Sequence, residues 1–117
     1  MERIAGCSSF AVGAALLRLG ALTGEASYRG AAEEVLALLG PLVDRHPLAF
    51  AHLAAVLDLH GRGTTEVVVP GDAPHLRAVV TGRWRPDGVL AWGEPYPSPL
   101  WEGRREGLAY VCRDFTC

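Results

Sequence analysis

At 117 residues, half of them hydrophobic and 21% charged, the chain has the composition of one ordinary globular domain. It is long enough to bury roughly two thirds of the surface it would expose unfolded. A formal net charge of -2 leaves no electrostatic case for nucleic acid or an anionic membrane surface as a partner.

No apolar run reaches the roughly 20 residues that a membrane span needs, because Arg18 and later Glu33-Glu34 interrupt the candidates. The opening MERIAGCSSFAVGAALLRLG has an early Arg and an apolar stretch. It lacks a small-x-small cleavage site followed by a polar start, so it reads as helix rather than as a signal peptide. Cys7 precedes the apolar stretch, whereas a lipobox cysteine follows one. Three cysteines are an odd number and too few for a disulfide scaffold, so a reducing cytoplasm is expected.

Ser8 or Ser9 can cap a first helix that runs to about Leu22 and closes on Thr23-Gly24. Phe10, Val12, Leu16, Leu17, Leu19 and Leu22 surround it almost completely, and a helix apolar all round expects neighbours on several sides. A second helix is expected from Ala26 to Arg45, with Tyr28, Ala31, Ala32, Val35, Leu39 and Leu42 in one stripe. Arg29, Glu33 and Glu34 lie on its outer side. Gly40-Pro41 should kink or break it, since Pro41 lacks a backbone donor and crowds the preceding turn. Pro47 is expected to start a third helix to about Leu59, ended by His60-Gly61-Arg62-Gly63. Short connections make the three antiparallel.

The remainder is organised around Thr64 to Trp92. Glu66 to Val69 is β-branched and stops at Pro70-Gly71, as a buried strand does. Asp72 can cap a helix with Pro74 in its first turn and Leu76, Val79, Val80 and Trp84 on its apolar side. Arg85-Pro86-Asp87-Gly88 is turn chemistry, and Val89 to Trp92 is a second strand. That order is a short βαβ unit. The proline-rich stretch after Trp92 reads as an extended surface loop, and Leu108 to Cys112 as a third strand. The expected fold is therefore mixed α and α/β: residues 1–62 helical, then residues 63–117 a small βαβ-β tail, packed as one unit.

Six segments carry a family resemblance: ALLRLGALTG, SYRGAAEEVLALLGPLVDRHPLAFAHLAAVLDL, EVVVPGD, RPDGVLAW, PLWEGR and AYVCRDFTC. In this order, from about Ala14 onward, they resemble the carboxy-terminal end of a family of large thioredoxin-domain proteins, the bacterial homologues of spermatogenesis-associated protein 20. The resemblance implies an amino-terminal thioredoxin-like domain, then an α/α toroid similar to those of sugar epimerases and glycosidases, then a small α/β tail. On that resemblance this chain would correspond to the last toroid helices and that tail, as a fragment. Two places depart from the pattern: Cys7-Ser8-Ser9-Phe10 stands where relatives carry a Ser-Gly-Asn-Ser-like stretch, and relatives continue past the position of Cys117 into a proline and a helix.

Cys112 and Cys117 form C-x4-C, close enough to pair, to exchange with a thioredoxin-like partner, or to be two structural thiols. His46, His52, His60 and His75 show no paired spacing that would complete a metal site, and no metal or other cofactor is expected. Val69-Pro70-Gly71-Asp72 reads as a tight turn rather than an anion cradle, since Asp72 repels phosphate and the prolines remove donors. His52, among apolar residues, reads as a buried or half-buried histidine. Glu33 and Glu34 point about 100° apart on a helix and read as a solvated face. Trp84 and Trp92 read as packing anchors, and Trp101, in the loop, as a candidate ligand contact.

The leading expectation is a non-catalytic segment that packs against the remainder of a longer family protein or against another copy of itself. The alternatives are a thiol-disulfide redox component using Cys112 and Cys117, and a remnant carbohydrate-binding module.

Overall fold

The computed structural model describes residues 2–117, with side chains from residue 11 onward. It is a mixture of helix and a small three-stranded mixed sheet. The chain divides into two compact units: residues 1–20 with 25–62, and residues 21–24 with 63–117.

The first unit is helical. Helix α1 spans Glu2–Thr23, so it does not start at Ser8 or Ser9; those residues lie inside it, and their side chains are outside the described residues. Helix α2 covers Ala26–Leu39 and α3 covers Pro41–Arg45. The break falls at Gly40-Pro41, where the Gly40 N–H still donates to the Leu36 carbonyl and Pro41 opens the next helix without a donor of its own. Helix α4 spans Ala51–Arg62, starting later than Pro47. Residues 47–50 instead form a turn in which the N–H groups of Ala49 and Phe50 both donate to the His46 carbonyl, each at 3.1 Å. Leu48 is consequently 96% exposed and takes no part in the core.

The core of this unit follows helical spacing. Leu53, Val56 and Leu59 recur every third residue along α4, and Ala32 and Leu36 are four apart on α2. Leu17 of α1 completes the buried set, flanked by Leu16, Leu39, Val43, Phe50 and Leu57. Leu36 takes the central place on α2, while Val35 and Leu39 are only half-buried. Arg29 and Glu33 pair at 3.1 Å on the outer face, where His60 of α4 also reaches Glu33 at 3.1 Å.

The second unit is built on strand β1, Thr65–Pro70, in which every residue from Glu66 to Pro70 is buried. Strand β2, Gly88–Gly93, pairs with it in parallel, and β3, Tyr110–Arg113, pairs antiparallel on its other edge, giving the order β2-β1-β3. Helix α5, Pro74–Thr81, lies between β1 and β2 in sequence. Its N-cap is Ala73 rather than Asp72, and Pro74 holds the first helical position. The helix stops before Trp84, which is 87% exposed and anchors nothing. Trp92 is also more than half exposed; the Arg77 guanidinium lies 4.3 Å from its ring centroid, a cation–π contact at the sheet edge.

The proline-rich connection does more than run over the surface. Pro99–Trp101 forms a 3-10 turn, capped by the Ser98 hydroxyl oxygen accepting from the Leu100 N–H at 3.2 Å. This turn inserts Leu100, fully buried, against Val68 and Ala91, with Leu22, Trp101, Tyr110 and Phe115 around it. The Tyr96 hydroxyl donates to the Leu22 carbonyl at 3.0 Å. Gly24, just past the end of α1, has φ +75, and a Cβ there would stand 2.9 Å from Cγ of Pro99 and nearer still to its Cδ. Only glycine fits a left-handed helix end pressed against a proline ring. Gly24→Ala is therefore expected to lower unfolding stability by about 1–3 kcal/mol, measured by denaturant unfolding; an unchanged midpoint would contradict the contact.

Candidate functional site

The register of the sheet brings the site together. Glu66 stands directly opposite Cys112, and Val68 opposite Tyr110. Residues directly opposite in an antiparallel pair share a face, with Cβ atoms about 4.5–5.5 Å apart. Glu66 and Cys112 therefore lie side by side on the face that Leu100 and Phe115 cover.

Beyond β3 the chain reverses. Asp114 and Phe115 take φ of 47° and 64°, and Arg113 and Thr116 exchange two backbone hydrogen bonds, each 2.9 Å. Two successive left-handed residues closed in this way make the tight two-residue reversal of a hairpin. A bulky Phe in that region is unusual; here its ring packs into the core beside Leu100 and Trp101. The reversal carries Cys117 back to Cys112, and the two are joined as a disulfide. Their environments differ: Cys112 is 1% exposed, whereas Cys117 is exposed.

Arg104 is the cation of the site. Its Nε donates to the Leu100 carbonyl at 3.1 Å, one Nη donates to the Phe115 carbonyl at 3.2 Å, and the same Nη lies 3.8 Å from Sγ of Cys112. The guanidinium also sits 5.1 Å from the centroid of the Tyr110 ring. The Tyr110 hydroxyl in turn accepts from the Arg105 N–H at 3.1 Å. A planar fork with donors on two carbonyls is held in one orientation, so the charge beside the sulfur is fixed in place.

Glu66 is the anion of the site, or would be if it ionised. It is 2% exposed, and its Oε2 has no hydrogen-bond partner among the described residues. Burial holds its carboxyl above the ordinary value, and the charge of Asp114 pushes the same way; backbone N–H groups of residues 66, 115 and 114 oppose this.

Other expected candidates are scattered. Trp101 is half-buried beside Leu100, edge-on to Tyr96 with ring centroids 5.4 Å apart and planes at 82°, and its Nε1 is buried. His52 is exposed, not buried; it precedes Leu53, which owns the inward face of α4, and adjacent helical positions point about 100° apart. Glu33 and Glu34 are exposed, as a solvated face requires. Gly71, with φ +73, donates its N–H to the Gly93 carbonyl at 3.0 Å and forms the tight turn after β1. An open cleft beside it, about 450 Å³, is lined by Gly71, Asp72, Trp92, Gly93, Glu94 and Glu106. Among the described residues no three His, Cys, Asp or Glu side chains gather as a metal site would require. No described helix is long and apolar enough to cross a membrane.

Sequence reasoning missed Glu66 and Arg104 as members of the site. Glu66 had a signal: a carboxylate at the head of an otherwise β-branched buried strand. Arg104 had none, because its role comes from the 3-10 turn and the final reversal meeting around it. Comparisons of the chain with protein-family models, with curated proteins and with solved structures return no match.

The raised pKa of Glu66 has a definite sign. Stability contributed by the neutral acid is fully present below the unfolded value of 4.5 and is lost as pH rises through the folded value. Thermal unfolding of wild type and Glu66→Gln between pH 4 and 8 should show wild type losing ground to the variant as pH rises. Parallel curves would mean that Glu66 titrates normally.

Proposed function

We propose that this chain is a non-catalytic, packing segment of a thioredoxin-domain/α-toroid protein. Residues 1–62 would be the last helices of the toroid, and residues 63–117 a small βαβ-β tail behind them. Its partner is the remainder of such a protein or a second copy of the chain, and its setting is the cytoplasm. The support from sequence is the six-segment resemblance in unbroken order.

The observation that carries the packing role is the apolar surface left on the helices. Val12, Ala15 and Leu19 of α1 are all exposed, and positions i, i+3 and i+7 fall along one side of a helix. On α2, Leu38 is 78% exposed. Single exposed apolar residues are ordinary in a soluble protein, whereas an aligned stripe marks a surface that another element covers. In a toroid each helix has neighbours on both sides, which is the environment such a stripe fits.

The direct test is the DNA upstream of Met1: a thioredoxin-like domain in frame, or separated by a frameshift, supports the proposal, and unrelated sequence contradicts it. In solution, the purified chain is expected to elute above its monomer mass and to bind an apolar dye. Val12→Glu with Leu19→Glu should shift it to monomer and cut dye binding severalfold. A monomeric wild type that binds no dye would overturn the packing role.

A further inference from the structure

Two sulfurs in unlike surroundings, with a fixed cation beside one of them, have a chemical consequence that a purely structural cross-link does not need. Thiol–disulfide exchange is attack by a thiolate along the S–S axis. Its rate depends on which sulfur can be reached and on how well the departing sulfur carries negative charge. Cys117 is exposed and Cys112 is buried, so an external thiolate reaches Cys117. The sulfur that departs is then Cys112, the one 3.8 Å from the Arg104 guanidinium.

We propose that Cys112–Cys117 is an exchangeable disulfide, in which Cys117 is the sulfur attacked by a dithiol reductant and Cys112 is the leaving thiolate stabilised by Arg104. In the first step one thiolate of the reductant bonds to Sγ of Cys117 and the Cys112–Cys117 bond breaks. The electron pair of that bond goes to Cys112, which sits as a thiolate beside Arg104 until it takes a proton from solvent. In the second step the other thiolate of the reductant attacks its own sulfur in the mixed disulfide. Cys117 is expelled and protonated, and the reductant leaves as a disulfide. Two electrons pass from dithiol to protein, which ends with two thiols.

The neighbours of Cys112 suit that role. The Tyr110 ring and the two carbonyls hold Arg104 where it is, so the cation does not have to be recruited. Glu66, opposite Cys112 on the same face, is a buried carboxyl whose pKa is raised by burial, which disfavours a second negative charge beside the thiolate. On reduction the covalent link between Cys117 and Cys112 opens, while the hairpin bonds between Arg113 and Thr116, the Phe115 ring in the core and the Arg104 bond to the Phe115 carbonyl keep the reversal in place. The inference stands apart from the packing role; a chain that packs against a larger protein can still open and close this link.

The test uses the full chain and dithiothreitol as the dithiol. Samples are quenched with acid at intervals, alkylated and weighed. Arg104→Gln should be reduced about threefold or more slowly than wild type at pH 7, because a less stabilised leaving thiolate departs more slowly. Arg104→Lys, which keeps the charge, should recover part of the rate, and Arg105→Gln should match wild type. Circular dichroism reports whether each variant is folded. Since Arg104 also holds two carbonyls, a second measurement leaves Arg104 in place. In Cys117→Ser, thiolate absorbance should show Cys112 titrating below the ordinary thiol value of about 8.5. A short reaction of wild type with glutathione, followed by peptide mapping, should place the mixed disulfide on Cys117. Equal rates for a folded Arg104→Gln, a Cys112 pKa at or above the ordinary value, or a mixed disulfide on Cys112 would each overturn the proposal and leave the disulfide a structural cross-link.

Discussion

The second unit depends on one constraint: β1 has no side that water can have. From Glu66 to Pro70 every residue is buried, so the strand needs a hydrogen-bonding partner on each edge and a cover on each face. An unpaired backbone group at that depth would cost about as much as a lost hydrogen bond. β2 takes one edge in parallel and β3 takes the other in reverse. Leu100, delivered by a short 3-10 turn, covers one face together with Phe115 and Trp101. Val68, with no exposed surface, is where these demands meet.

The cysteine pair is a consequence of that strand. Once β3 is fixed antiparallel to β1, its register places the buried Cys112 beside the buried Glu66. The chain then has to turn within two residues to bring Cys117 back, and Asp114 and Phe115 accept left-handed geometry to do so. The same reversal presents the Phe115 carbonyl to Arg104, which the Leu100 carbonyl already holds. Core packing and site electrostatics therefore share their atoms. The first unit has a different character: its core is an ordinary meeting of helical stripes, and some of its apolar surface remains in water.

What the sequence made legible was whatever follows from local rules. The strand at Glu66 to Val69, the break at Gly40-Pro41, the glycine closing α1 and the turn at Pro70-Gly71 all rest on residues whose backbone preferences act alone. Three readings failed where tertiary geometry decides. Trp84 and Trp92 looked like anchors because large aromatics usually bury, yet α5 stops short of one and the sheet edge exposes the other. His52 looked buried because its neighbours are apolar, but the phase of α4 is set by Leu53 and turns it outward. The loop that buries Leu100 looked like surface because prolines forbid a strand there; they do not forbid a 3-10 turn. Of the site, the two cysteines were legible from spacing, whereas Arg104 becomes visible only when two distant segments meet.

A tight reversal after β3 returns Cys117 to Cys112 and bonds them. Tryptic mapping of the alkylated but unreduced protein checks this link. Cleavage after Arg105 and Arg113 separates Glu106–Arg113, which holds Cys112, from Asp114–Cys117, which holds Cys117. These two peptides are expected to travel as one linked species and to separate only after reduction. Finding either peptide alkylated without reduction in oxidised protein, or Cys112 linked to Cys7, would contradict it.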